Sequence, residues 1–221
     1  MMRRQTPLIF ISMAAMVVLV SGVALAKVIE GTDSSEVLKG TNNHDLIKAF
    51  GGIDELYGKD AADVLRAGFA PDKAYGENGN DTYYGSTGDD DLDEYVGVTP
   101  MPSGDGYTGE DLMFGGEGRD RLYGARSGDE LHGGPNPGPA QDALYGNSGN
   151  DKLYGEDGPD YMEGDQGSDL MSGGAGDDHI DAVSDEPVNT SDTVRCGAGT
   201  DEVIAKENDD VNFDNCETVI Q

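Results

Sequence analysis

The sequence predicts an all-β protein built as a parallel solenoid of glycine-rich nonapeptides, and three observations predict it. Residues 31–93 divide into seven consecutive blocks of nine without a gap. Every block carries an acidic residue at its sixth position: Glu36, Asp45, Asp54, Asp63, Asp72, Asp81 and Asp90. Positions seven to nine read polar, apolar, polar in many blocks, the pattern of a three-residue strand with one side chain facing inward. A fixed period names a repeat architecture before any single residue is interpreted. The register breaks at residues 94–105, resumes for three blocks from Gly106 to His132, and continues with insertions to about residue 213. The sixth-position series continues as Asp111, Asp120, Asp129, Asp142, Asp151, Asp160, Asp169, Asp178, Asp192, Asp201 and Asp210, so all 18 blocks are acidic there.

The first element along the chain reads as an export signal. Arg3 and Arg4 precede an apolar stretch from Leu8 to Val20 and the small-residue motif Ala24-Leu25-Ala26, the order expected of a cleavable secretory leader. Residues 1–26 are therefore expected to be a signal peptide, leaving residues 27–221 as one repeat domain in a secreted, extracellular protein. The rival reading is an uncleaved anchor, because residues 7–26 approach the roughly 20 needed to span a bilayer. Ser21 and Gly22 weaken that helix. Arg3-Arg4 suggests twin-arginine export, but Gln5-Thr6-Pro7 does not continue that motif, and no cysteine follows the apolar stretch to take a lipid.

Charge sets the next limit. The chain has 44 acidic and 14 basic side chains, a net charge of −30; loss of Arg3 and Arg4 with the leader takes it to −32. Such a chain repels nucleic acid and anionic membranes and attracts cations. It has 36% apolar residues, no tryptophan and 34 glycines, so a modest core must overcome a large unfolded-state entropy. Without counter-ions the chain is expected to stay expanded.

The clearest blocks are Gly76 to Tyr84, Gly115 to Tyr123, Gly146 to Tyr154, Gly155 to Glu163, Gly164 to Ser172 and Gly173 to Asp181. Glycines at positions one and four suit a tight turn that visits positive φ and directs carbonyl oxygens inward, with the sixth-position carboxylate closing the ring. The inward series at position eight is Leu38, Ile47, Leu56, Leu65, Ala74, Tyr83, Leu92, Met113, Leu122, Leu131, Leu144, Leu153, Met162, Met171, Ile180, Val194 and Val203, failing only at Asn212. Turn, strand, turn, strand makes 18 residues per coil. About nine coils at roughly 4.8 Å give a rod on the order of 43 Å long. Strands this short need burial and ion binding to act together, as coupled neighbours do in other repeat proteins.

The ligand set names the ion. Carboxylate and carbonyl oxygens in flexible loops, with no interleaved His or Cys, suit calcium, which accepts about six to eight oxygens in irregular geometry. Magnesium demands near-ideal octahedra and zinc prefers nitrogen or sulfur.

These blocks resemble the repeats-in-toxin (RTX), or hemolysin-type, calcium-binding nonapeptides, with consensus G-G-x-G-x-D-x-U-x. The match is close over residues 76–93, 106–123 and 146–181. It is looser over residues 31–75, where position four holds Ser34, Asn43, Ala61 and Ala70 and where weak binding or a purely structural role is expected. The resemblance implies a parallel β-roll with ions between turns stacked on one edge, so that ligands come from alternate blocks. The metal residues it implies are Asp81, Asp90, Asp111, Asp120, Asp151, Asp160, Asp169, Asp178 and Asp201, with Asp151–Asp169 and Asp160–Asp178 as the strongest pairs. Family members exported in one step carry an uncleaved C-terminal signal, and the toxins and proteases place an effector domain before the repeats. Those one-step members lack an N-terminal signal, whereas this chain is expected to carry a cleavable one, and its repeats begin four residues after the expected cleavage point.

Cys196 opens the block CGAGTDEVI and Cys216 lies in the closing segment DNCETVI. Two cysteines in an exported chain favour a disulfide. Closing a loop of about 20 residues stabilises by roughly 3 kcal/mol in the chain-entropy model, and the bridge is expected to cap the solenoid at about residues 196–221, where open strand edges invite aggregation.

His44, His132 and His179 share no ligand spacing and read as surface positions. No zinc-protease, nucleophile-turn or phosphate-loop motif occurs, so the protein is read as a non-enzyme. Aromatic residues recur at position nine: Tyr57, Tyr75, Tyr84, Phe114, Tyr123, Tyr145, Tyr154 and Phe213. Tyr57, Tyr75, Tyr123 and Tyr145 fall on odd-numbered blocks and line one sheet face if the insertions loop out. Aromatic β-propensity explains them; a polysaccharide platform or partner surface is the sharper alternative. The insertions at 94–105 and around 133–141, rich in Pro and Gly, read as excursions from the coil. The functional expectation is an exported calcium-binding repeat protein that folds on binding several calcium ions, the alternative being a calcium-stiffened adhesin or glycan-binding module.

Overall fold

Alternation of short turns and short strands winds the chain into a two-sheet solenoid. The structure is a computed structural model that describes residues 26–93, 109–136, 138–183, 191–205, 210–211, 216 and 218–220. Residues 1–25, most of the segment expected to be an export signal, together with the insertion at 94–105, Asn212 and Phe213, lie outside the described residues. One sheet holds, in spatial order, Lys27–Glu30, Asp45–Gly51, Val64–Phe69, Thr82–Thr87, Leu112–Glu117, Glu130–Pro135, Lys152–Asp157, Leu170–Ala175, Thr193–Ala198 and Asp210–Val211. The strands between these in sequence form the second sheet, from Val37–Lys39 to Thr218–Ile220. Among the described residues each sheet has ten strands and every strand pairing is parallel, so the all-β parallel β-roll is the observed architecture.

Insertions leave the register intact. Tyr83 pairs with Met113 and Leu92 with Leu122 across residues 94–105, as Leu131 pairs with Leu153 and Met171 with Val194 across the two shorter insertions. Preserved register keeps each eighth-position side chain on the inner face, because a one-residue slip would turn it outward. From Ile47 to Val203 that series is buried, at no more than 1% exposure, while Leu38 packs on it partly buried. Each fully buried Leu or Met contributes about 1.5–3 kcal/mol. Where Ala74 leaves the row thin, Tyr83 in the other sheet is fully buried, and its hydroxyl accepts the Gly76 N–H at 2.9 Å.

Two local expectations change. Strands of the first sheet mostly run six residues rather than three, because positions one to three of the following block continue the ladder, as in Glu156 beside Gly174. Positive φ falls at positions two and four rather than one and four: Gly116, Gly134 and Gly174 at position two, Gly118, Gly149 and Gly167 at position four. Glu77, Glu156 and Asp165 hold position two at φ between 63° and 75°, so glycine is not obligatory there. Position one is glycine for lack of space rather than for φ.

Cys196 and Cys216 form a disulfide with Cα atoms 5.4 Å apart. Cys196 is buried in the core cluster and Cys216 packs against it, which ties the closing segment to the last turns.

Candidate metal centres

Each sixth-position aspartate has two differently employed oxygens. Oδ1 joins consecutive coils: the backbone N–H of one aspartate donates to Oδ1 of its equivalent one coil later, as in Asp81 to Asp111 (2.6 Å), Asp90 to Asp120 (2.7 Å), Asp151 to Asp169 (2.9 Å) and Asp160 to Asp178 (2.9 Å). These bonds form two ladders on opposite edges. The first edge carries Asp54, Asp72, Asp90, Asp120, Asp142, Asp160, Asp178 and Asp201. The second carries Asp45, Asp63, Asp81, Asp111, Asp129, Asp151, Asp169 and Asp192.

Oδ2 is the oxygen left over. In Asp54, Asp63, Asp72, Asp81, Asp90, Asp111, Asp120, Asp129, Asp151, Asp160, Asp169 and Asp178 it is buried without a hydrogen-bond donor, a costly arrangement unless something else satisfies it. The position-one glycine shows what surrounds it. A methyl group on Gly155 would lie 2.5 Å from Asp160 Oδ2 and 2.5 Å from the carbonyl oxygen of Gly173; on Gly115, 2.6 Å from Asp120 Oδ2 and 2.6 Å from the carbonyl of Gly133. Gly58 and Gly146 repeat this, with Asp63 and Asp151 at 2.5 and 2.6 Å and the carbonyls of Gly76 and Gly164 at 2.8 and 2.9 Å. The turns at Gly58, Gly85, Gly115, Gly124, Gly146, Gly155 and Gly173 are thus small cradles of one carboxylate oxygen and a facing backbone carbonyl, whereas at Gly76 the Tyr83 hydroxyl stands beside Asp81 Oδ2 instead. Among the described residues no three His, Cys, Asp or Glu side chains gather as a metal cage. A donor set of oxygen alone, carboxylate and carbonyl, fits calcium and fits zinc poorly.

Burial pushes these carboxyls up, to about 7 for Asp63, Asp90, Asp111 and Asp169, to about 8 for Asp120, Asp129 and Asp160, and to about 6 for Asp81, Asp151 and Asp178. The N–H bond to Oδ1 opposes burial in every case. Neighbouring carboxylates add to it at Asp120 (Asp142 and Asp90) and at Asp160 (Asp142 and Asp178). A bound cation would reverse the balance by favouring the charged form.

All nine residues expected as ligands fall on these two ladders: Asp90, Asp120, Asp160, Asp178 and Asp201 on the first edge, and Asp81, Asp111, Asp151 and Asp169 on the second. Both pairs drawn from the resemblance sit one coil apart. Sequence reading omitted Asp63 and Asp129, which have the same donor-free Oδ2 beside Gly58 and Gly124; their sixth-position register was the signal. Asp142 differs, since Asn136 Nδ2 donates to its Oδ2 at 2.8 Å. Its position-one partner is Gly133, so the second insertion begins within the turn and not before it. At Asp45 the Thr41 N–H and hydroxyl occupy Oδ2.

The outer faces carry stacked rings. Tyr57 and Tyr75 stack at 5.2 Å between centroids, and Tyr123 and Tyr145 at 4.8 Å with planes 5° apart, all four in the second sheet as the odd-block pattern implied. On the first sheet Tyr84, Phe114, His132 and Tyr154 stack in succession at 5.4, 4.9 and 4.7 Å. His132 is therefore a ring in a ladder, bonded to Glu130 and Glu156, and His179 stacks on Tyr161, which adds a stacking role to the surface positions expected of these histidines. Sequence reading missed them because it tracked only Tyr and Phe at position nine.

Fold and site together define a β-roll repeat protein whose stacked turns hold buried, oxygen-only cradles. Comparison with protein families places it further: the RTX calcium-binding nonapeptide repeat matches in four copies, over residues 30–65, 57–92, 105–135 and 145–180, more than half of the 221 residues. The chain belongs to that family, whose repeats bind calcium. No curated protein matches it.

Proposed function

We propose that the protein is an exported, non-enzymatic rod that folds when calcium fills its turns, using Asp63, Asp81, Asp90, Asp111, Asp120, Asp129, Asp151, Asp160, Asp169 and Asp178. The observation that carries this reading is the repeated donor-free Oδ2 facing a carbonyl oxygen across a position-one glycine. These residues would hold calcium, which would supply positive charge to their buried oxygens. The chain contributes the rest: Oδ1 fixes each carboxylate against the preceding coil, the position-one glycine keeps the space open, and the inward row stacks the turns. In calcium-poor cytoplasm the acidic chain stays extended for export, and millimolar external calcium orders it. The Cys196–Cys216 disulfide supports an oxidising destination.

The glycan-binding alternative gains nothing from the aromatic rows. Tyr123 and Tyr145 stack face to face, each covering a face of the other that a sugar-stacking platform would need open. Small-angle scattering of residues 27–221, disulfide intact, tests the main reading. The radius of gyration should fall from about 47 Å, the unfolded value for a chain this long, to about 16 Å as calcium is added. An unchanged radius would overturn it.

A further inference from the structure

The two oxygens of each sixth-position aspartate do separable work, and only one of them needs a cation. On the first edge, position one reads Gly31, Ala49, Ala67, Gly85, Gly115, Gly133, Gly155, Gly173 and Cys196 from coil to coil; Ala49 and Ala67 are fully buried. At the glycine positions, the point where a β-carbon would stand is about 2.5–2.6 Å from the Oδ2 of Asp63, Asp120, Asp151 and Asp160 and 2.5–2.9 Å from a facing carbonyl oxygen. Those are nearly calcium–oxygen distances of about 2.3–2.6 Å and far shorter than the roughly 3.5–4.0 Å of a methyl contact. A methyl group and a cation therefore compete for one volume.

We infer that Ala49 and Ala67 close the Asp54 and Asp72 turns to calcium, and that Cys196 closes the Asp201 turn, so that calcium loads the first edge only from Gly85 to Gly173, apart from the Asp142 turn that Asn136 already caps. The second edge has Gly58, Gly76, Gly124, Gly146 and Gly164, with alanine only at Ala182 and Ala205 near its end. Its filled span therefore begins earlier, and the two edges are staggered. Aspartate persists in the closed turns because Oδ1 still ties the coils: Asp54 Oδ1 accepts the Glu36 N–H at 2.7 Å, and Asp72 Oδ1 accepts the Asp54 N–H at 2.8 Å. The same two turns replace polar side chains with exposed Phe50, Ile53 and Phe69, a surface suited to apolar contact rather than to a hydrated ion. The inference withdraws Asp201 from the expected ligands.

This rests on the calcium reading above, and the test separates the two. Calcium bound per full-length chain, disulfide intact, is counted by native mass spectrometry for the wild type and for three variants. Asp54→Asn/Asp72→Asn keeps an Oδ1 acceptor and should leave the count unchanged. Ala49→Gly/Ala67→Gly should add two ions, and Gly155→Ala should remove one. A double asparagine variant that loses two ions, or a double glycine variant that gains none, overturns the closure. Wild type that binds no calcium overturns the functional reading itself.

Discussion

Raising the pH in the presence of chelator should unfold the ion-free roll, and the structure sets how steeply. Twelve sixth-position aspartates between Asp63 and Asp178 are held at about 6 to about 8 in the folded state, against about 3.9 in an unfolded chain. Folded values above unfolded ones mean that the fold binds the extra protons. Its stability is therefore fully present below about pH 3.9 and is lost as the pH rises toward the folded values. Each such group removes about 1.4 kcal/mol per pH unit in that window, and twelve together about 16 kcal/mol. Halving this for coupling and relaxation still exhausts a net stability of about 5–15 kcal/mol within about two pH units. Far-UV circular dichroism in chelator, at low protein concentration because the isoelectric point is near 4.1, should show β signal near pH 4 collapsing steeply by about pH 6. Calcium at pH 7.5 should restore it. A signal unchanged from pH 4 to pH 8 in chelator would refute the claim that burial holds these carboxyls protonated in the folded roll.

Two further outcomes follow from the packing. Leu153→Ala removes a fully buried side chain that pairs with Leu131 and Met171, and should cost about 2–5 kcal/mol in urea unfolding at saturating calcium; a loss below 1 kcal/mol would mean the inward row is not a packed core. Cys216→Ser should cost roughly 3 kcal/mol in the chain-entropy model and act locally: hydrogen exchange should quicken in Thr193–Ala198 while Lys152–Asp157 stays protected, and uniform quickening would contradict a capping role.

Period carried most of the fold into the sequence. With one acidic residue in every ninth place and one apolar residue two places later, the chain had few ways to bury Ile47, Leu56 and Leu65 other than by stacking coils. The two aspartate ladders followed from the same register, while the Asp151–Asp169 and Asp160–Asp178 pairs came from the resemblance to RTX repeats. Other features depended on space rather than on pattern. That Gly155 is needed for room, while Glu156 beside it accepts a positive φ, is decided by where the Gly173 carbonyl stands one coil away. The capping of Asp142 by Asn136 depends on an insertion that departs from the repeat. His132 joined the aromatic ladder because its neighbours one coil away are Phe114 and Tyr154, a relation that becomes visible only once the coil length is known.

The most direct test of calcium-driven folding is far-UV circular dichroism of residues 27–221 with the disulfide intact, titrated at pH 7.5 with calcium from a chelated start and with magnesium in parallel. A cooperative rise of β signal with calcium alone is the predicted result. A spectrum already ordered in chelator and indifferent to calcium would contradict it, leaving the sixth-position aspartates as formers of turns.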